Sequence, residues 1–123
     1  GLQPKAALLS HSNFGTSDHP SAVKMRRALA LIREQAPWLE VDGEMHGDVA
    51  LDAGQRREVM PDSPLVGDAT LLVMPNLDAA NIGYNLIRVA TGGVAMPEAL
   101  KKSSYWRIRQ ARFSFDSPFG AMQ

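Results

Sequence analysis

Apolar and polar positions along the chain change period several times, and each change predicts an element. The run "KAALLS" at residues 5–10 is short and continuously apolar, the pattern of a buried strand. After the turn-rich "HSNFGTSDHP", the stretch "SAVKMRRALALIREQA" places Ala22, Met25, Leu29, Ile32 and Ala36 at steps of three and four. That spacing makes one apolar helical stripe, with Lys24, Arg26, Arg27 and Arg33 directed elsewhere. Pro20 suits the first helical turn and Pro37 closes the far end.

In "LEVDGEM", residues 39–45, Leu39, Val41 and Met45 alternate with Glu40, Asp42 and Glu44. A period of two with one polar face predicts an edge strand half open to solvent. A weaker helix follows in "DVALDAGQRREVMP", damaged by Gly54 and stopped by Pro61, and "DSPLVGD" is a loop. "ATLLVM", residues 69–74, is apolar on both faces, as expected of a central parallel strand. The last clear element is a helix in "LDAANIGYNLIRVATGG", with Leu77, Ala80, Tyr84 and Ile87 on one face, Asn76 at its N-cap and Gly92–Gly93 as its stop.

Strand and helix alternating three times predicts an α/β domain: a parallel sheet with crossover helices. The loops "SHSNFGTSDH", "GEMHGD" and "PNLDA" then share the carboxyl edge of the sheet, where open α/β sheets bind ligands. His11, His19 and His46, the three histidines of the chain, all fall in them. So do Ser10, Ser12, Asn13, Gly15, Thr16, Glu44, Asn76 and Asp78, and Asp42 stands just before the second loop. Asn81 lies about one turn into the last helix and Asn85 one turn deeper, on an apolar face where a buried amide needs partners.

Composition narrows the functional classes. The chain has 123 residues, 45% hydrophobic and 21% charged, which is one ordinary globular domain at most. Thirteen basic residues balance thirteen acidic ones, so no overall field favours nucleic acid or a membrane surface. There is no cysteine, hence no disulfide framework and no thiolate metal site, and no apolar run is long enough to span a bilayer. A cytoplasmic protein is expected. The start "GLQPK" lacks Met, and a piece of a longer polypeptide is the expectation.

Specific chemical motifs are few. His11, Asp42, Glu44 and His46 include metal-ligating types but lack a ligand spacing. No G-x-S-x-G elbow supports Ser12 as a hydrolase nucleophile. Neither G-x-G-x-x-G nor G-x-x-x-x-G-K-[ST] occurs. Serine, asparagine and glycine after a strand are also ordinary turn chemistry, so the cluster across three loops carries more weight than any member.

The segments "PKAALLSHSNFGTSDHPSAVKMRRALALIRE", "LEVDGEMHGDVALD" and "ATLLVMPNLDAANIGYNLIR", in this order, resemble the carboxyl-terminal phosphotransacetylase-like domain of bacterial NADP-dependent malic enzymes and, more distantly, phosphate acetyltransferase. The resemblance covers about three quarters of the chain. It implies one α/β subdomain, residues 1–93, of a two-part fold similar to isocitrate and isopropylmalate dehydrogenases, with a cleft between the parts. By that likeness the chain is a regulatory and oligomerisation module sensing acetyl-CoA. NADP, the divalent metal and malate decarboxylation would belong to an absent amino-terminal region of the malic enzyme chain. No cofactor is expected in this chain itself, and acetyl-CoA or CoA is the implied ligand. The alternative is acyl transfer between CoA and phosphate, which needs cationic groups; the three loops contain no Arg or Lys. The residues carried over to the cleft are Ser10, Ser12, Asn13, Gly15 and Thr16, then Asp42 and Glu44, then Asn76 and Asn81. A homo-oligomer is expected, with neither nucleic acid nor membrane as partner.

Residues 94–123 depart from the family. "VAMPEALKKSSYWRIRQARFSFDSPFGAMQ" replaces the strand, turn and final helix that the family carries there. Residues 97–112 form a basic helical pattern with Tyr105 and Trp106 interleaved, expected to be an altered terminus rather than a nucleic-acid contact.

Overall fold

The computed structural model describes residues 3–90. Gly92, Gly93 and the 94–123 segment lie outside the described residues. Three parallel strands, β1 (Lys5–Leu9), β2 (Glu40–Met45) and β3 (Leu71–Val73), form a sheet of order β2-β1-β3. Four helices connect or follow them: α1 (Pro20–Gln35), α2 (Gly47–Leu51), α3 (Ala53–Val59) and α4 (Leu77–Ala90).

The sheet is a middle layer. On one side Ala6, Leu8 and Val41 pack with Met25 and Leu29 of α1. On the other, Ala7, Leu9, Met45 and Leu72 pack with Val49 and Ala50 of α2, and Tyr84 and Ile87 of α4 close over them. β1 is therefore buried on both faces, which its uninterrupted apolar run predicted. The α1 stripe is as expected at Ala22, Met25 and Leu29, while Ile32 is only partly buried. Pro20 is the first residue of α1, where its missing N–H is no loss, and the His19 side chain caps the helix by accepting from the Ser21 N–H.

Four expectations need correction. The strand expected over residues 69–74 is confined to Leu71–Val73 and is paired with β1 alone among the described residues, so it is an edge of the described sheet rather than its centre. The helix expected over residues 48–61 is two helices, and the break is at Asp52, not Gly54. Asp52 ends α2 in an extended conformation and caps α3 by accepting from the Gln55 N–H at 3.1 Å. β2 is an edge strand as expected, but its polar face is not open to solvent: Asp42 is 5% exposed and Glu44 fully buried. Finally, Arg26 and Arg33 turn back to meet those two carboxylates.

The burial of β2 has two causes. Residues 60–66 run along its outer edge, tied there by the Ser63 hydroxyl on Asp42 and the Val66 N–H on Glu40. Its pairing with β1 also slips by one residue, Leu8 opposite Gly43 and Leu9 opposite Met45, so Glu44 is the unpaired residue of a bulge. The slip redirects the Glu44 side chain away from the solvent face that simple alternation assigns it.

Gly43 is required by this approach. A Cβ there would stand 2.7 Å from the Leu8 carbonyl oxygen and 2.8 Å from the Leu8 Cβ. The loop carrying the buried Leu65 is strapped by Arg56, itself 2% exposed. Its guanidinium donates to the carbonyls of Val49, Ala50, Leu65 and Gly67. The Val49 and Ala50 carbonyls lie at the end of α2, where a cation suits them, and Ala50 also accepts from the Ala69 N–H at 2.9 Å. No helix among the described residues is long and apolar enough to cross a membrane.

Candidate functional site

The parallel sheet brings the ends of β1, β2 and β3 to one edge, and the loop of residues 10–19 folds over the first two. Its conformation follows from its own hydroxyls. The Ser12 N–H donates to Ser10 Oγ, the Asn13 N–H to Thr16 Oγ1, and the Ser17 N–H to the buried Ser12 Oγ, all between 3.0 and 3.1 Å. Phe14 adopts a left-handed conformation, φ 48°, held because its N–H bonds the Glu44 carbonyl at 2.7 Å and its ring packs on the core beneath. Gly15 continues with φ 88°, a region glycine enters without strain, and this aims its N–H at Glu44 Oε1, 3.1 Å away.

Glu44 is the centre of the arrangement. One carboxylate oxygen takes the Gly15 N–H, and the other lies 2.5 Å from Arg26 Nη1. Arg26 reaches from the second turn of α1, also donating to the Ser17 carbonyl at 2.9 Å and to Asp18 at 3.1 Å. One guanidinium thus fastens β2, the loop and the start of α1 together. Its charge is spent on two carboxylates.

On the other flank Asn13 locks onto His46. The Asn13 carbonyl oxygen accepts the His46 N–H at 2.8 Å, and the Asn13 amide nitrogen is 3.2 Å from His46 Nδ1. His46 Nε2 lies 2.8 Å from the His11 carbonyl. An amide nitrogen only donates and a carbonyl only accepts, so His46 is the Nε2–H tautomer, accepting at Nδ1.

Of the expected site residues, Ser10, Ser12, Asn13, Gly15, Thr16 and Glu44 come together at this edge. Asp42 lies farther along β2 and meets them through an open groove of about 470 Å³ between α1 and residues 60–64, which it lines together with Gly15, Arg26 and Glu44. Its carboxylate is bonded to Arg33 at 3.1 Å and to the Ser63 hydroxyl at 2.6 Å. Asn76 is exposed and caps α4 through the Ala79 N–H at 2.8 Å, the capping role expected of it. Asn81 and Asn85 are not buried amides tied to the loops: Asn85 is exposed and its amide donates to the Asn81 carbonyl and side chain, one turn back. Among the described residues no three His, Asp or Glu side chains converge as metal ligands, which removes the set His11, Asp42, Glu44 and His46.

Arg26 and Ser17 were missed by the sequence reading. A signal for Arg26 did exist. Arg26 and Arg33 are two helical turns apart on one face, and in a strand–helix–strand unit the helix runs antiparallel to the strand that follows, so the earlier arginine lies beside the later carboxylate whatever the local register. Arg26 then meets Glu44 and Arg33 meets Asp42, in reversed order as observed.

Comparison with known proteins agrees with this architecture. The family model described as phosphate acetyl/butaryl transferase matches residues 1–96. The NADP-dependent malic enzyme of Escherichia coli is 62% identical over 91 residues, 74% of this chain, and the NAD-dependent malic enzyme of Rhizobium meliloti is 62% identical over the same length. The chain spans only 12% of the length of each. Equal identity to both means that this segment does not separate the two nicotinamide classes. Among solved structures, the EutD phosphotransacetylase from Staphylococcus aureus superposes with a TM-score of 0.69 at 35% identity, covering 74% of this chain and 29% of that one. The chain belongs to the phosphate acetyl/butaryl transferase family, as a segment that malic enzymes and phosphotransacetylases have in common.

Proposed function

We propose that this chain is an acyl-CoA-sensing and assembly segment of a malic enzyme, binding its ligand at the strand ends without turning it over. The observation that carries this reading is the state of Arg26. It is the cation reaching the strand-end loop, and Glu44 and Asp18 both occupy it. A group that stabilises charge developing in an acyl or phosphoryl transfer must be available when that charge appears. Arg26 is instead a fastener, and Arg33 is likewise held by Asp42. What remains at the edge is a preformed polar surface of hydroxyls, amides and imidazoles, suited to holding a ligand in one pose.

In this reading NADP, the divalent metal and the oxidative decarboxylation of malate belong to other parts of the malic enzyme chain, in the cytoplasm. Assembly has its own support. Ile82, Leu86 and Val89 of α4 are 58%, 66% and 72% exposed and recur at i, i+4 and i+7, a stripe that a second copy can meet through its own. The second reading, acyl transfer between CoA and phosphate, is favoured by the likeness to the phosphotransacetylase from Staphylococcus aureus.

Calorimetric titration with acetyl-CoA, with CoA and acetyl phosphate as controls, tests the proposal. Saturable micromolar binding, weakened by Ser12→Ala or Asn76→Ala and unaccompanied by acetyl-CoA formation from acetyl phosphate, is expected. Turnover would establish the transferase reading instead, and absence of binding at millimolar ligand would defeat both for the isolated chain. Light scattering separates a dimer broken by Leu86→Glu from a monomer.

A further inference from the structure

Ser17 is held through every polar atom it has. Its N–H donates to the buried Ser12 Oγ at 3.1 Å, and its carbonyl accepts from Arg26 at 2.9 Å. Its Oγ accepts from the His19 N–H at 3.1 Å and lies 3.0 Å from His11 Nε2. The Ser17 oxygen spends one lone pair on the His19 N–H, which leaves its hydrogen and a second lone pair to the His11 side. In the tautomer with the His11 proton on Nδ1, which faces Ser10 Oγ at 3.5 Å, Nε2 accepts the Ser17 hydrogen. In that form the polarity runs from the His19 amide through Ser17 to His11 and on to Ser10. A hydroxyl aimed at an imidazole nitrogen whose other nitrogen is turned toward a third group is the arrangement of an activated nucleophile.

Its surroundings fit that use. His11 is exposed and Ser17 half-buried, so both are reachable from solvent. Ser17 lies three residues before the first residue of α1, a helix of 16 residues whose positive end favours negative charge developing nearby. The neighbouring Asp18 carboxylate is paired with Arg26 at 3.1 Å. The partner orienting His11 is a hydroxyl, not a carboxylate, so an imidazolium would gain little support from it. Such a pair can open only acyl groups that already carry a good leaving group.

We propose that Ser17 is an acyl acceptor and His11 its base, with acyl phosphates and acyl thioesters as donors. The Ser17 Oγ forms a bond to the acyl carbon, its proton passes to His11 Nε2, and the bond from acyl carbon to phosphate oxygen or thiol sulfur breaks. Phosphate or thiolate leaves with the bonding pair, and Ser17 is left as an ester, one event per chain rather than catalytic turnover. The choice of donor rests on the acyl-CoA reading above; the Ser17–His11 geometry does not.

The test exposes the whole chain to acetyl phosphate, and separately to p-nitrophenyl acetate, and maps acetyl groups by peptide mass spectrometry. The expected result is one acetyl ester at Ser17, absent from Ser17→Ala and formed about 100-fold more slowly in His11→Gln. His11 is exposed, so that variant carries the test even if Ser17→Ala disturbs the loop. No acetyl at Ser17, or acetylation at a rate unchanged by His11→Gln, overturns the inference. Acetyl-CoA titration into Ser17→Ala keeps the two proposals apart: binding retained there, while the unsubstituted chain gains no acetyl at Ser17, leaves the sensing role standing and this one refuted.

Discussion

Arg26 and Glu44 meet at 2.5 Å across the interface of α1 and β2, the carboxylate fully buried and the guanidinium only partly so. An acid without water around it depends on its donors, and Glu44 has the Gly15 N–H and Arg26. Glu44→Gln keeps the size, removes the charge and turns an amide toward one of those donors. The expected loss is about 2–3 kcal/mol, read as a lowered urea midpoint with unchanged slope. Arg26→Lys should recover little, because one ammonium cannot serve Ser17, Asp18 and Glu44 in the fork that Arg26 presents.

Gly43→Ala tests the closeness of β1 and β2. The added methyl would stand under 3 Å from the Leu8 backbone oxygen, which cannot swing away. The strands must part, and a loss of about 3 kcal/mol is expected in thermal or urea unfolding. A fully stable variant would mean that the bulge relaxes freely.

Arg56→Met should be more damaging than its neighbour Arg57→Met, although both sit in α3. Arg56 is buried among four carbonyls and Arg57 is exposed. Losing the guanidinium strands acceptors worth about 1–3 kcal/mol apiece, partly recovered by water. Hydrogen exchange at the Ala69 amide, which bonds the Ala50 carbonyl at 2.9 Å, should quicken in Arg56→Met and not in Arg57→Met.

The two loop histidines should show opposite tautomers. Nitrogen NMR on the neutral rings is expected to find the proton of His46 on Nε2, as its amide and carbonyl partners require, and that of His11 on Nδ1, as the acyl-acceptor role of Ser17 requires. Asn13→Ala removes the donor to His46 Nδ1 and should mix the His46 tautomers while leaving His11 unchanged.

These cases mark what the sequence discloses. Helical period located α1 and α4 because each turns an apolar stripe to the sheet, although Leu77 of the α4 stripe is 47% exposed; an unbroken apolar run located β1, buried on both faces, and alternation located β2. The succession of strand and helix brought the loops to one edge. Asn76 was legible as a cap because capping is local, one side chain and the amide three residues on. The charges of β2 were misjudged for the converse reason. Whether Glu44 faces water depends on a one-residue slip against β1 and on residues 60–66, which arrive from elsewhere in the chain. Arg56 and Arg57 are adjacent and alike in sequence, and only the tertiary path of the 65–67 loop tells them apart.

That strap has an evolutionary consequence. Arg56 grips its loop through main-chain carbonyls alone, and every amino acid supplies one. Val66 is exposed and Gly67 holds a positive φ beside the grip, so the loop can drift in side chain at position 66 without loosening, while the gripping residue has no substitute. A saturation library scored for folding should therefore show wide tolerance at 66 and near-total intolerance at 56: one position free to vary because another is not.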